Sequence, residues 1–119
     1  MRETVIASIE REKVIAIVRD AGAEACRKVA DALYRGGIRL MEITFDQNHP
    51  DSFPATAGAI AEIAKTYEGR MLVGAGTVTT PELVDLTARA GGRYIISPDV
   101  NEAVIRRTRE LGLVSLPGA

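Results

Sequence analysis

Short, almost wholly apolar runs alternate along this chain with longer amphipathic segments, and few folds accommodate that pattern. The runs are VIAIV at 14–18, IRLMEIT at 38–44, RMLVGA at 70–75, RYIIS at 93–97 and LVSL at 113–116. All contain β-branched residues and are short enough to be strands. Between them lie AEACRKVADALYRG, SFPATAGAIAEIAKTY, TPELVDLTARAG and NEAVIRRTREL, whose apolar positions recur every three or four residues as a helix requires. A further helix is expected over the first dozen residues. Punctuation agrees: Thr80-Pro81-Glu82 and Asp51-Ser52 resemble helix entries, and Gly36-Gly37, Gly91-Gly92 and Gly112 sit where helices should stop.

Strands this apolar, joined by helical crossovers, belong to a parallel sheet covered on its outer face or on both. Two architectures meet the pattern, an open doubly wound sheet and a (β/α)8 barrel followed as far as its fifth strand. Strand order is not readable from sequence, but the C-terminal strand ends favour the barrel. They carry the polar or small residues of an active-site face: Arg19-Asp20, Glu42-Ile43-Thr44, Gly74-Ala75-Gly76-Thr77, Ser97-Pro98 and Pro117-Gly118. We therefore expect an α/β fold, a partial (β/α)8 TIM barrel of strands 1 to 5 with their helices. All of residues 1–119 would be the N-terminal portion of one barrel domain, since a closed barrel needs roughly 200 residues or more.

Composition narrows the partners. Fifteen Lys and Arg against sixteen Asp and Glu leave no electrostatic case for nucleic acid or an anionic membrane surface. The opening MRETVIASIEREK has no apolar leader and no stretch approaches a membrane span, so a cytoplasmic protein is expected. Cys26, the one cysteine, reads as a small core residue, and His49, the one histidine, as a solvated loop residue. The arginines 106, 107 and 109, with Glu102 and Glu110 alongside, read as a solvated helix face.

Glu42 lies inside an otherwise apolar strand. Burial would raise its pKa towards the range useful for proton transfer, making it a candidate acid/base. Alternatively the strand ends earlier and Glu42 meets solvent or pairs with Arg19. The glycines of Gly74-Ala75-Gly76-Thr77 would let backbone amides approach a ligand, or simply form a tight turn after strand 3. Neither nucleotide-binding fingerprint is met. Arg19 could hold a carboxylate or phosphate, or form a structural ion pair with Glu42 or Asp20.

Taken together, GGIRLMEITF and VGAGTVTTPELVDLTARAGGRYIISPDVNEAVIRRTRELGLVSLPGA resemble the first half of the bifunctional 2-keto-3-deoxy-6-phosphogluconate and 4-hydroxy-2-oxoglutarate aldolases. The likeness runs from KVIAIVR to the terminal LPGA. It implies a class I aldolase, usually trimeric, that cleaves the phosphorylated keto-deoxy sugar acid to pyruvate and glyceraldehyde 3-phosphate, or hydroxy-oxoglutarate to pyruvate and glyoxylate. It implies no metal or organic cofactor, a strand-6 lysine that forms a Schiff base with the C2 ketone, and a glutamate that shuttles protons. On that likeness Glu42 matches the catalytic glutamate, Thr77 and Pro98 match pyruvate-pocket positions, Arg19 matches a basic strand-1 position, and Thr44 lies with them.

Two departures stand out. Some members carry an arginine four residues after the glutamate, where this chain has Asp46. The strand-6 lysine is expected beyond residue 119, and Lys13, Lys28 and Lys65 do not map onto it. The 119 residues are thus expected to be inactive alone. The alternative is a half-barrel binding or assembly module completed by another chain, prompted by the unpaired edges that strands 1 and 5 would present.

Overall fold

The computed structural model describes residues 2–19 and 22–119, so Asp20 lies outside the described residues. Helix α1 (Arg2–Glu12) precedes an alternation of strands and helices: β1 (Ala16–Val18), α2 (Ala23–Arg35), β2 (Leu40–Thr44), α3 (Phe53–Thr66), β3 (Leu72–Gly76), α4 (Pro81–Arg89), β4 (Tyr94–Ser97), α5 (Glu102–Glu110) and β5 (Val114–Pro117). A single 3-10 turn, Pro50–Ser52, leads into α3. Among the described residues no helix is long and apolar enough to cross a membrane.

The five strands form one parallel sheet in the order β1-β2-β3-β4-β5. That order decides between the two architectures. A doubly wound sheet reverses direction at a switch point, whereas a barrel adds each strand beside the last. The chain is a partial (β/α)8 barrel.

Because side chains alternate across a strand, each strand serves two cores. Val18, Met41, Ile43, Val73, Ala75 and Ile95 face outward and pack with Cys26 and Ala30 of α2, Ile60 and Ile63 of α3, Val84 of α4 and Val104 of α5. Leu40, Tyr94 and Val114 face inward, joined by Leu72, Ile96 and Leu116, and Val5, Ile6 and Ile9 of α1 pack against them. α1 therefore covers part of the inner face while α2 to α5 clothe the outer one.

Helix ends follow the sequence signals with one exception. Thr80 and Asn101 are N-caps whose side-chain oxygens accept from the backbone N–H of Leu83 at 3.3 Å and of Val104 at 3.2 Å. Gly37, Gly91 and Gly112 take positive φ just past α2, α4 and α5, and the residue after each bonds back five positions, as Ile38 N–H does to the Leu33 carbonyl. Ser52 is the exception. Its hydroxyl donates to the His49 carbonyl at 2.6 Å and does not cap α3, because the 3-10 turn already organises that entry.

β3 also differs from expectation. Gly74-Ala75-Gly76 does not follow the strand as a turn but lies within it, extending the pairing with β2 to Thr44 and Gly76.

Candidate active site

Alternation places Leu40, Glu42 and Thr44 on the inner face of β2, and Glu42 lies in register between Ile17 of β1 and Gly74 of β3. The strand continues past it, so Glu42 does not emerge into solvent; it is 4% exposed. The two glycines of β3 make this possible. A Cβ on Gly76 would coincide with Glu42 Oε2, and one on Gly74 would collide with the ring of Tyr94. Their absent side chains are the space that the carboxylate and the ring occupy.

Burial pushes the Glu42 carboxyl above its ordinary value, and the Arg19 guanidinium pulls it part of the way back. Tyr94 is fully buried, and its hydroxyl donates to the carbonyl of Met41, the residue before Glu42, with the Leu72 carbonyl 3.3 Å away. Burial and then the Glu42 charge push the Tyr94 phenol far up, so at neutral pH it is a fixed donor and not a proton shuttle. Sequence reading missed Tyr94; its signal was an aromatic residue placed to fill the room left by a glycine on the neighbouring strand.

Arg19, Thr44, Asp46, Gln47, Asn48 and Thr77 line a hollow of about 320 Å³ at the C-terminal ends of β1 to β3. Thr44 is buried and its hydroxyl lies 3.4 Å from the Val18 carbonyl, to which it donates. Thr77 has φ 54, a left-handed conformation uncommon for a residue with a branched side chain. Gln47 braces it: its amide donates to the Thr77 carbonyl at 2.8 Å, and its oxygen accepts from the Thr79 hydroxyl at 3.1 Å. Asp46 Oδ2 lies 2.8 Å from His49 Nδ1, and Oδ1 accepts from the Asn48 backbone N–H at 2.9 Å. Both contacts hold the Asp46 carboxyl below its ordinary range, the His49 bond foremost.

The structure thus brings Arg19, Thr44 and Thr77 around one hollow, with Glu42 on the same inner face. Pro98, exposed after β4, is not among the lining residues. A second hollow, lined by Arg11, Arg39, Arg70 and their neighbours, lies at the opposite end of the sheet, away from Glu42. In barrel enzymes the chemistry sits at the C-terminal strand ends, which favours the first.

No lysine joins this group. Lys13 follows α1, Lys28 pairs with Glu24 at 3.7 Å on α2, and Lys65 belongs to α3; all three are exposed. Cys26 is buried in the outer core, where burial raises its thiol pKa and makes it a poorer nucleophile. Arg106 pairs with Glu102 of its own helix, and Arg107 with Asp85 of α4 and with Glu110, so both guanidiniums are matched by nearby carboxylates.

The chain is 38% identical over 105 residues to a probable 2-dehydro-3-deoxy-6-phosphogalactonate aldolase of Rhizobium meliloti, covering 88% of this chain and 47% of that protein. A KDPG aldolase from Legionella pneumophila, solved with pyruvate captured as a covalent carbinolamine, superposes with a TM-score of 0.75 at 27% identity, covering 88% of this chain and 48% of that one. The 2-keto-3-deoxy-6-phosphogluconate aldolase of Zymomonas mobilis, at 23% identity, shares the fold with a TM-score of 0.81 over 100% of this chain and 53% of its own. The chain spans about half the length of the curated relatives it matches. The family model for KDPG and KHG aldolases matches residues 5–119, and the chain belongs to that family.

Proposed function

We propose that these residues form the acid/base side of a class I aldolase active site that cleaves 2-keto-3-deoxy-6-phosphogluconate to pyruvate and glyceraldehyde 3-phosphate. 4-Hydroxy-2-oxoglutarate, cleaved to pyruvate and glyoxylate, is the second substrate. The observation that carries the reading is Glu42, a carboxyl buried on the inner face of β2 whose proton affinity is raised by burial.

In this reading a lysine amine from a strand following β5 adds to the substrate C2 ketone, and loss of water from the carbinolamine leaves an iminium. The C3–C4 bond then breaks, with its electron pair drawn towards the iminium as an enamine. Glu42 serves this sequence by taking and returning protons at the carbinolamine, at the C4 hydroxyl and at the enamine carbon. Arg19, Thr44 and Thr77 border the substrate, with Pro98 further round the rim. None of Lys13, Lys28 and Lys65 stands on the inner face, so the 119 residues by themselves form no iminium. The assembled enzyme is a homotrimer, as the family resemblance implies.

Intact mass after incubation with pyruvate and borohydride tests the nucleophile. No adduct is expected on this chain, while the full-length Rhizobium meliloti relative labelled in parallel should gain one; a pyruvyl adduct on Lys13, Lys28 or Lys65 would refute the assignment. Pairing the chain with the C-terminal half of that relative tests Glu42. Pyruvate release from the phosphorylated sugar acid should appear, and Glu42→Gln should slow it by about 100-fold or more. Iminium formation with undiminished cleavage in Glu42→Gln would remove the glutamate from the mechanism.

The half-barrel assembly reading has one observation in its favour: Ile17, on the inner face of the edge strand β1, is 58% exposed. An apolar residue there calls for further strands, whichever chain supplies them.

A further inference from the structure

The hollow at the ends of β1 to β3 is asymmetric in charge. Arg19 brings a cation from the β1 side, and Asp46 brings an anion from the loop after β2. Much of the neutral hydrogen-bonding capacity between them is committed within the protein: Thr44 donates to Val18, and Gln47 is engaged at both ends of its amide by Thr77 and Thr79. Asp46 is fixed in place by the Asn48 backbone N–H and by His49, one on each oxygen. A carboxylate oxygen has more than one lone-pair site, so each retains capacity to accept from a ligand.

We propose that this pair makes the pocket select a hydroxylated monocarboxylate over a dicarboxylate, Arg19 taking the carboxylate and Asp46 accepting from a hydroxyl. The proposal rests on the aldolase reading for its substrate class and deepens it, favouring the polyhydroxy keto acid over 4-hydroxy-2-oxoglutarate. The physical reason is simple. A fixed anion on the wall welcomes an O–H and repels a second carboxylate, and the hydrogen bonds that keep Asp46 ionised ensure that neutral pH does not remove the charge. Were a cation at position 46, the preference would run the other way.

The test is an amide-resolved NMR titration of the 119-residue chain at low salt with D-glycerate and with malonate, three-carbon probes that differ in carrying hydroxyls or a second carboxylate. Glycerate should shift the Asp46, Asn48 and Thr77 amides saturably at a concentration about 10-fold or more below that needed for malonate. Asp46→Asn should bring the two probes within about 3-fold of one another, Asp46→Glu should keep the gap, and Arg19→Gln should weaken both.

Equal affinities in the wild type, a gap unmoved by Asp46→Asn, or no saturable shift at these amides with glycerate would each overturn the proposal. Neither a lysine nor Glu42 enters this measurement. Failure here beside successful pyruvate release from the paired halves removes the preference and keeps the aldolase. Success here beside failed release leaves a hydroxy-acid pocket and removes the lyase.

Discussion

Glu42 pairs a polar group with an apolar setting, and the cost of that placement is open to measurement. Burial raises its pKa in the folded chain above the ordinary 4.5, so the folded state binds the proton more tightly than the unfolded chain does. Stability from this group is full below about pH 4.5 and is lost as pH rises through the raised value. Glu42→Gln, which cannot ionise, should therefore melt at a higher temperature than the wild type at neutral pH, and the gap should close near pH 4. A scan of Tm against pH showing a constant gap would contradict this. Gly76 offers a second measurement, since an added methyl would occupy the space of Glu42 Oε2. Gly76→Ala should cost about 2 kcal/mol by urea unfolding in the wild type and distinctly less in a Glu42→Ala background. Equal costs in both backgrounds would mean that the carboxylate moves aside freely.

The helices differ in how they begin. α4 and α5 have side-chain caps from Thr80 and Asn101, while α3 is entered through the 3-10 turn with Ser52 bonded elsewhere. Thr80→Ala and Asn101→Ala should each lower unfolding free energy by about 1 kcal/mol, and Ser52→Ala by no more than about 0.5 kcal/mol. A large loss from Ser52→Ala in denaturant melts would show that the His49 carbonyl contact organises the loop more than the turn does. The loops after β2 and β3 are joined through Gln47, which links Asp46 and Thr77 in one rim even though thirty residues separate Gln47 from Thr77.

Taken as a half-barrel, the sheet has two edges and an inner face that α1 covers only in part. β1 is three residues long and carries Ile17 at 58% exposure, whereas Leu40, Met41 and Ile43 of β2 are buried. Amide exchange should accordingly be fastest in β1 and slowest in β2 and β3. Expressed alone, the 119 residues should associate through the β1 and β5 edges, and Ile17→Lys should shift gel filtration towards the monomer. A monodisperse wild-type monomer with a cooperative melt would show that the open edges are tolerated.

The alternation of apolar runs with helical segments was enough to place all five strands and the helices within a few residues, because periodicity and turn chemistry are local properties. The embedded acid at 42 and the cap at Thr80 were legible for the same reason, whereas the cap at Asn101 emerged only with the fold. The order of the strands was not, since pairing depends on contacts remote in sequence, although the polar strand ends and the family likeness had pointed to a barrel. Nor was the purpose of Gly74 and Gly76, which only their neighbours Tyr94 and Glu42 reveal, nor the place of Asp46 in one hollow with Arg19 and Thr77, which the family likeness had grouped without it. Local sequence decided which segments become strands and which helices. Which side chains share a site was decided by the register and alternation of a folded parallel sheet, where a single residue's shift would have turned Glu42 outward among the helices.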